Sequence, residues 1–435
     1  MPALPLPLQL YQNLTAFSAP LLRRMLAQRL AHGKETPDRV AEKRGETERP
    51  RAAGGLVWIH AVSVGETMSI LPVIAQLLAR DRALNILLTT STLTSARLVA
   101  ERVQDVRLIH QFAPIDHPKW VARFLDHWRP DLGLIVESEL WPNLLLGAEA
   151  RKIPLVLLNA RLSQKSFLAW LRAPATIARL LSVFSLCLAQ DRVTADRLNA
   201  LNAPHVQSFG NLKFAGPPLP DQPDLAEMLT RTLGRRPRWL AASIHPGEDA
   251  FIADAHLALR AQLPGLVTIV VPRHPERGSA IAETFTAKGL ATRRRAAGDL
   301  PIAPCDVYVA DTLGELGTYC RRAPVVLMGG SLIPHGGQNP LEPARLGCAV
   351  LAGPYTDNFA EIYHQLESAD ALTRVADAHS LAEGVAQLLT QTERWADQSR
   401  RAKQIATAAA DVLPQVIAAL SPFLPSATGK RDAPA

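Results

Sequence analysis

Apolar and polar residues alternate along the chain in blocks typical of a sheet covered by helices. Between residues 56 and 214, runs rich in Val, Ile and Leu are separated by stretches with apolar positions at helical spacing. Such alternation predicts a mostly parallel, doubly wound sheet. Helices are predicted at residues 118–128 and 144–152, among others. The predicted strands are residues 56–62, 84–90, 106–112, 132–137, 155–159, 186–190 and 206–209.

A second series of the same kind follows a proline-rich segment. Residues 215–223 lose the periodicity and read as a linker. At 435 residues the chain is too long for one ordinary core, so we expect Rossmann-like domains at residues 51–214 and 224–380. Residues 381–435 are predicted to hold helices and a tail that cross back to the first domain. The second series of strands is predicted at residues 239–243, 266–271, 307–309, 325–328 and 349–351.

The first 50 residues form a separate segment. An apolar series recurs at helical spacing, and Pro20 is expected to kink the helix. No uninterrupted run of about 20 apolar residues occurs here, which argues against a full membrane span. Two interpretations stay open: an amphipathic helix lying on a membrane, followed by a charged connector at residues 32–50, or a helix packed on its own domain. The series is Leu10, Leu14, Phe17, Leu21 and Met25.

The first predicted strand ends at a carboxylate. Glu66 lies in the turn between that strand and an amphipathic helix. Ligands of open α/β sheets bind outside the carboxyl ends of the strands, so Glu66 is a candidate for chemistry. The alternative is that Glu66 only caps the helix, because an acidic residue in the first turn is favoured by the helix dipole.

Three further strand ends carry polar groups. Glu137, Arg161 and Lys213 each follow an apolar strand of the same half. Together with Glu66 they predict a site for a polar, anionic substrate. A structural ion-pair network is the competing explanation.

The second half offers turns that are cationic or rich in glycine. Gly336 and Gly337 would allow close approach of the backbone to a ligand, and Pro340 could open a helix running to Gly347. The start of that helix could bind a phosphate, assisted by Arg273 or His274, while Glu342 could accept hydrogen bonds from ribose. Tight backbone packing would also use glycine.

The net charge and the composition of the chain restrict the possible binding partners only in part. The net charge of +7 suggests an anionic partner, which could be nucleic acid, lipid or a phosphorylated substrate. The four cysteines, at positions 187, 305, 320 and 348, show no CxxC pairing and are expected to be buried free thiols. The first strand also lacks a GxGxxG turn, so a nicotinamide-type dinucleotide fold has little support.

Two Rossmann-like halves, with an acid in the first and a nucleotide cradle in the second, describe a GT-B glycosyltransferase with a central cleft. The sequence closely resembles the 3-deoxy-D-manno-octulosonic acid (Kdo) transferases of lipopolysaccharide synthesis. The resemblance runs from about residue 33 to the mid-350s. Its motifs are HAVSVGET, ESELWPN, NARLSQKS, GNLKF, SIHPGE, VPRHPER, DTLGEL and GGSLIPHGGQNPLEPA.

The resemblance implies transfer of Kdo from CMP-Kdo to the lipid A precursor (lipid IVA) on the cytoplasmic face of the inner membrane, with no nucleic acid partner. It implies that Glu66 is the proton acceptor and that Glu137 and Lys213 stabilise the transition state. One departure is the N-terminal segment, which is more hydrophobic in relatives. The implied CMP-binding residues are Pro272, Arg273, His274, Leu313, Gly314, Glu315, Asn339, Pro340, Leu341 and Glu342.

The chemistry of a CMP sugar bears on cofactors. Its single phosphate makes a bridging Mg²⁺ less necessary than a pyrophosphate would, and no DxD-type pair stands at a suitable strand end. We therefore expect metal-independent, inverting transfer without a cofactor. Two rivals remain: another GT-B enzyme, such as a UDP-sugar transferase or epimerase, and a non-catalytic, membrane-peripheral nucleotide-binding protein.

Overall fold

The computed structural model describes residues 4–215 and 218–425. The chain divides into two compact units, 1–216 with 411–435, and 217–410. The predicted second domain ended at residue 380, whereas the second unit extends to Ala410. Parts of the predicted N-terminal segment, linker and tail lie outside the described residues.

The first unit is built on a sheet of seven parallel strands in the order β3-β2-β1-β4-β5-β6-β7. The strands are β1 Leu56–His60, β2 Asn85–Thr90, β3 Leu108–Phe112, β4 Leu132–Val136, β5 Leu155–Ala160, β6 Phe184–Ala189 and β7 Val206–Ser208. The helices are α1 Leu6–Phe17, α2 Ala19–Ala31, α3 Val64–Arg80, α4 Leu93–Arg102, α5 Pro118–Trp128, α6 Pro142–Ala150, α7 Gln164–Trp170, α8 Pro174–Leu181, α9 Arg192–Ala200 and, from the end of the chain, α18 Val412–Leu420.

Strand β1 shows why the sheet is covered on both faces. All five of its residues are buried, as expected of a strand inside a parallel sheet. Trp58 packs on Phe124 of α5, with ring centroids 5.5 Å apart. Val57 and Ile59 point to the opposite layer, which contains Ile70 of α3. Alternate residues of one strand thus build two cores.

The second unit repeats this plan with the strand order β10-β11-β9-β8-β12-β13-β14, again parallel. The strands are β8 Arg238–Ile244, β9 Val267–Pro272, β10 Thr292–Arg294, β11 Val307–Val309, β12 Val325–Met328, β13 Ala349–Ala352 and β14 Leu372–Arg374. The helices are α10 Pro223–Leu233, α11 Glu248–Leu259, α12 Gly278–Ala287, α13 Leu316–Arg322, α14 Leu341–Arg345, α15 Ala360–Ser368, α16 Ala378–Thr390 and α17 Thr392–Ala410.

The predicted fold class, two Rossmann-like α/β domains with parallel sheets, is confirmed. The sequence pattern missed β10 and β14, the two edge strands of the second sheet. Each has three half-buried residues and no apolar run, because an edge strand of this length has little core to contact. The expectation of buried free thiols is also confirmed, since all four cysteines are buried and unpaired.

The N-terminal segment forms two helices with a break at Ser18, two residues before Pro20. Proline at the start of a helix is favourable, because the missing N–H would have no partner there. The break therefore falls where the sequence predicts a kink. Helix α1 packs on α5 and α6, and the hydroxyl of Tyr11 donates a hydrogen bond to Asp116 at 2.9 Å.

By length and hydropathy, one helical stretch among the described residues could cross a membrane, Thr392–Phe423. Packing buries only part of this stretch, 22% of its most apolar window. Ala402 and Ala406 of α17 are buried in the second unit, and Val412 and Val416 of α18 are buried against α3 in the first.

Candidate active site

The first sheet reverses its strand order between β1 and β4, which are neighbours but not consecutive in the chain. In open α/β sheets, ligands bind at such a switch point, outside the carboxyl ends of the strands. Glu66 follows β1 and Glu137 follows β4. The fold therefore brings two of the predicted site residues to the place where a ligand is expected.

Glu66 is held by its own helix. Ser63 caps α3 by accepting a hydrogen bond from the Glu66 amide, and both carboxylate oxygens of Glu66 accept hydrogen bonds, from the Val62 amide at 2.7 Å and the Ser63 hydroxyl at 2.8 Å. The capping interpretation is thus realised in the structure. It does not compete with a role in chemistry, because the same bonds fix the carboxylate at the switch point.

The environment of Glu66 also makes it more basic. Only 6% of the residue is exposed. Burial raises the pKa of Glu66 against the hydrogen bonds from Ser63 and Val62, and the charge of Glu137 adds to the rise. A carboxylate with a raised pKa is a better proton acceptor than an exposed one.

Glu137 lies in a strained backbone conformation, with φ of 56°. Such left-handed conformations of non-glycine residues cost free energy and cluster at functional sites. The ammonium of Lys213 lies 2.7 Å from Oε1 of Glu137, as an ion pair that is not aligned as a hydrogen bond. Glu66, Glu137 and Lys213 thus form one cluster in the first unit.

Lys213 is positioned by three side-chain amides that sequence reasoning did not connect. Asn211 accepts a hydrogen bond from the Lys213 amide at 3.0 Å and donates one to Gln190 at 3.2 Å. Asn159 accepts one from the Leu212 amide at 2.9 Å. These amides follow or end β5, β6 and β7, so they tie the Lys213 turn to three strand ends. Asn159 is left-handed, like Glu137, with φ of 52°.

His60 and Glu139 are linked through Trp141, an arrangement that the sequence did not reveal. His60, the last residue of β1, is fully buried, and its ring contacts that of Trp141 edge to face at 4.7 Å. Burial lowers the pKa of His60 to about 3, so the ring is neutral. Trp141 in turn donates a hydrogen bond to Glu139 at 2.7 Å. The available signal was a histidine in an otherwise apolar strand.

Glu139 adds a third carboxylate to the cluster. Burial raises its pKa, and repulsion by Glu66 and Glu137 raises it further, against the hydrogen bond from Trp141. Arg161, the fourth predicted strand-end residue, is exposed. Within the described part of the chain, its guanidinium makes no hydrogen bond or ion pair. It therefore stays available to an anionic group.

The second sheet has its switch point between β8 and β12. Arg273 and His274 follow Pro272, the last residue of the neighbouring strand β9, and both are exposed. The backbone of this turn is fixed by the Arg273 amide, which donates to the carbonyl of Ile244 at 3.0 Å. These predicted residues border the switch point with their side chains open to solvent.

Asn339, Pro340, Leu341 and Glu342 lie beside them. Burial raises the pKa of Glu342, while the charge of Arg273 and a hydrogen bond with Asn339 oppose the rise. The predicted helix from Pro340 to Gly347 is wrong in extent, because α14 spans only Leu341–Arg345. The side chain of Asn339 accepts the hydrogen bond of the Leu341 amide at 3.1 Å, which leaves fewer free donors there than the sequence suggested.

Leu313, Gly314 and Glu315 form the turn before α13. Leu313 is 82% exposed and Gly314 has φ of 80°. Glu315 is engaged internally: burial opposes ionisation, but hydrogen bonds from Arg295, Thr312 and Tyr319 hold its pKa below the usual value. The carboxylate of Glu315 thus anchors the turn, and the exposed part of the motif is Leu313.

The glycine-rich turns need correction. Gly336 has φ of 100°, and a Cβ there would lie 2.7 Å from the side chain of Asn358. At Gly337, a Cβ would lie 3.2 Å from the carbonyl of Tyr355. Both glycines face their own chain, so tight packing, the alternative raised above, explains them rather than approach to a ligand.

The preceding turn, residues 329–332, is closed by a carboxylate that the sequence did not single out. Glu248 is fully buried and accepts hydrogen bonds from the amides of Gly330 at 2.7 Å and of Ser331 and Leu332 at 3.1 Å. A fourth comes from the amide of His245 at 2.9 Å. These amides resemble an anion-binding nest, but Glu248 already fills it. A phosphate must therefore be held by other groups.

The first unit also contains a cavity of about 1110 Å³ at the amino-terminal ends of its strands, on the side of the sheet opposite to Glu66 and Glu137. Its lining includes Leu84, Asp131 and Pro154. These residues precede strands, where ligands of open sheets do not usually bind.

Among the described residues, no group of three or more His, Cys, Asp and Glu side chains is placed to hold a metal ion.

Two Rossmann-like units, each with polar residues at its switch point, define the GT-B class of nucleotide-sugar enzymes. A solved structure of a putative UDP-N-acetylglucosamine 2-epimerase from Listeria monocytogenes shares this fold. Its TM-score is 0.53 at 13% sequence identity, covering 85% of this chain and 96% of that chain.

The sequence comparisons define the family. The family described as 3-Deoxy-D-manno-octulosonic-acid transferase (kdotransferase) matches residues 26–216. A probable mitochondrial 3-deoxy-D-manno-octulosonic acid transferase of Arabidopsis thaliana is 36% identical over 409 residues, 91% of each chain. The 3-deoxy-D-manno-octulosonic acid transferase of Haemophilus influenzae is 36% identical over 74% of this chain and 78% of its own. The chain belongs to the Kdo transferase family, and it is a glycosyltransferase.

Proposed function

We propose that this protein transfers Kdo from CMP-Kdo to a hydroxyl group of the lipid A precursor, with inversion and without a metal ion. The observation that carries the proposal is the cluster of Glu66, Glu137 and Lys213 at the switch point of the first sheet. Family membership supports the identity of the sugar.

The cluster supplies the charges that the reaction needs. The acceptor oxygen attacks the anomeric carbon, the bond from that carbon to the phosphate oxygen breaks, and CMP leaves with the electron pair. Glu66 takes the hydroxyl proton, since its buried carboxylate has a raised pKa. Glu137 stabilises positive charge at the anomeric carbon and Lys213 stabilises the departing phosphate. Their ion pair holds the two side chains side by side before substrate binds.

The second unit is proposed to hold CMP. Arg273 and His274 are exposed hydrogen-bond donors beside the switch point, and the charge of Arg273 suits a single phosphate. Glu342 lies next to Asn339 and Arg273, where it can accept hydrogen bonds from ribose. The exposed Leu313 can cover an apolar face of the base. Because one phosphate carries little charge, these side chains suffice without Mg²⁺.

The direct test is transfer of Kdo from freshly made CMP-Kdo to purified lipid A precursor in detergent, read as added mass on the lipid. The Glu66→Gln variant should lose roughly a hundredfold to ten-thousandfold of the rate, the usual contribution of a general base. Its binding of CMP should stay within about twofold of wild type. EDTA should leave the wild-type rate unchanged.

A cap variant controls for the structural role of Glu66. Thr92→Ala removes the N-cap of α4 in the same unit, and it should cost about 1 kcal/mol of stability while transfer remains. If Glu66→Gln lost CMP binding and stability together, Glu66 would be only a cap. An unmodified lipid, with CMP binding intact, would contradict the proposed acceptor or the activity itself. Loss of activity in EDTA, restored by Mg²⁺, would contradict metal independence.

We also propose that α1 and α2 lie on the cytoplasmic surface of the inner membrane. The residues that define the predicted amphipathic face are not packed on the unit: Leu14 is 72% exposed, Phe17 84% and Leu21 70%. Arg23 and Arg24 stand on the same pair of helices. Exposed apolar side chains flanked by arginines fit an anionic lipid surface.

Vesicle flotation tests this membrane proposal. The double variant Leu14→Ser with Phe17→Ser should lose most binding to vesicles rich in phosphatidylglycerol, while its transfer to a detergent-dispersed acceptor remains. Val106→Ser is the matched control, because Val106 is 95% exposed elsewhere on the unit. Equal binding of all three proteins would mean that α1 and α2 are ordinary surface helices.

A further inference from the structure

A histidine follows the carboxyl end of each of three adjacent strands in the second sheet. His245 follows β8, His274 follows β9 and His335 lies in the loop after β12, and these strands are neighbours in the order β9-β8-β12. The rings of His245 and His335 stack with centroids 3.7 Å apart, and those of His245 and His274 lie 6.1 Å apart. The switch point of this sheet is therefore lined by imidazole rings.

His245 is the fixed centre of this group. Its amide is bound by Glu248, and its Nε2 lies 3.0 Å from the side-chain amide of Gln338, which donates to it. The pKa of His245 is lowered to about 4, mainly by burial and in addition by the nearby His335, His274, Arg273 and Arg277. The His245 ring is therefore neutral and packs against the ring of His335. The guanidinium groups of Arg273 and Arg277 place positive charge near it.

Arg277 has more hydrogen-bonding capacity than its surroundings satisfy. Its Nη1 is buried and has no hydrogen-bond partner among the residues that the structure describes. Its Nη2 lies 3.7 Å from Asp249, beyond hydrogen-bond distance. A buried guanidinium nitrogen without a partner is costly, and the planar fork of arginine matches a carboxylate. Both points favour an anionic ligand at this place.

The donor assigned under the proposed function carries two anionic groups that cannot separate. The carboxylate of an ulosonic acid is bonded to the anomeric carbon, and the phosphate is attached to that same carbon through one oxygen. A site that holds the phosphate through Arg273 and His274 therefore needs further donors within a few ångströms. Arg277 and His335 are the remaining groups of the cluster that can provide them.

We propose that Arg277 and His335 bind the carboxylate of the donor sugar, with His245 as a positioning residue that holds the His335 ring. This subsite rests on the proposed function and deepens it, because it identifies how the enzyme selects an acidic sugar. A neutral sugar would leave both groups without a partner. Neither Arg277 nor His335 is among the residues assigned to CMP, so the nucleotide alone should not sense the subsite.

Binding titrations without acceptor lipid test the proposal. Arg277→Ala should weaken binding of freshly made CMP-Kdo by roughly tenfold to a hundredfold, the equivalent of one charge-assisted hydrogen bond. It should change binding of CMP by less than about twofold. His335→Ala should show the same selectivity with a smaller loss, and it also guards against misfolding, since His335 is exposed. His379→Ala, with an 81% exposed side chain in the same unit, is the control and should change neither.

Two results would overturn the subsite. Equal weakening of CMP and CMP-Kdo would place Arg277 at the phosphate, and unchanged binding of both would leave it without a donor contact. The titrations do not require turnover, so the two proposals fail separately. If wild type transferred no Kdo but the variants discriminated CMP-Kdo from CMP, the subsite would stand and the acceptor would be wrong. If wild type transferred Kdo and the variants bound both ligands normally, the proposed subsite would be refuted and the proposed function would stand.

Discussion

The buried carboxylate of Glu248 gives the sharpest stability prediction, because it accepts hydrogen bonds from three successive amides of the turn at the second switch point. It accepts four backbone hydrogen bonds, at 2.7, 2.9, 3.1 and 3.1 Å. The Glu248→Gln variant preserves shape but replaces one oxygen by an NH₂ group. The remaining oxygen can satisfy two of the four amides, and the other two would face a donor.

The size of the effect follows from those two amides. Each buried donor without a partner costs about 1–3 kcal/mol, so the variant should lose about 2–6 kcal/mol in this turn. A loss of about 4 kcal/mol corresponds to roughly a thousandfold change in the local opening equilibrium. That is a large share of the stability of an ordinary domain, but it need not unfold the second unit.

Hydrogen exchange measured by mass spectrometry gives the readout. Peptides that cover residues 330–332 should exchange faster in Glu248→Gln, whereas peptides of the first unit should not change. Glu383→Gln makes the same substitution at a side chain that is 61% exposed, and it should have no effect. If exchange in residues 330–332 stayed at the wild-type rate, Glu248 would not be the partner of these amides. Uniformly faster exchange would mean that the variant acts on the whole unit rather than on the turn.

Two further predictions concern the first site and the loop around Gly336. The rate should fall as the pH decreases through a value above the ordinary pKa of a glutamate, because Glu66 must be ionised to accept a proton and its pKa is raised. Glu137→Gln removes a repelling charge, so the midpoint of this acid limb should move to lower pH; an upward move in the pH–rate profile would refute the assignment. Gly336→Ala should cost more stability than Gly289→Ala in denaturant unfolding. Both have positive φ, but only at Gly336 would a Cβ meet a side chain, that of Asn358. Equal losses of stability in the two variants would show that the Asn358 side chain moves away from the added Cβ at little cost.

The strand pattern was readable from sequence wherever a strand is buried on both faces. The predicted strands at residues 307–309 and 325–328 match β11 and β12, because continuous apolar runs are required there. The edge strands β10 and β14 were missed, since their polar residues carry no such signal. The amphipathic series in α1 and α2 was also readable, but its exposure was not. Periodicity identifies an apolar face and does not say what covers it.

The candidate site was predictable in part for a similar reason. Glu66 and Glu137 could be placed at strand ends, and parallel strands bring such ends to one edge. Their strand-end positions made them candidates for a site, but their specific roles as proton acceptor and transition-state stabiliser came from the family resemblance, and those roles remain predictions. The helix start at Pro340 and the glycines near it looked like a phosphate cradle. In the structure, α14 is short and the glycines pack against residues 355–358.

The sequence by itself determined the periodicity of the elements, the class of fold and the residue types at the strand ends, because these depend on neighbours along the chain. Tertiary structure decided which of those residues meet. The ion pair of Lys213 with Glu137, the stack of His245 on His335 and the closure of the glycine turn by Glu248 each join residues more than 70 positions apart. Such contacts depend on strand order and on the geometry of individual turns, and neither is encoded in any local pattern.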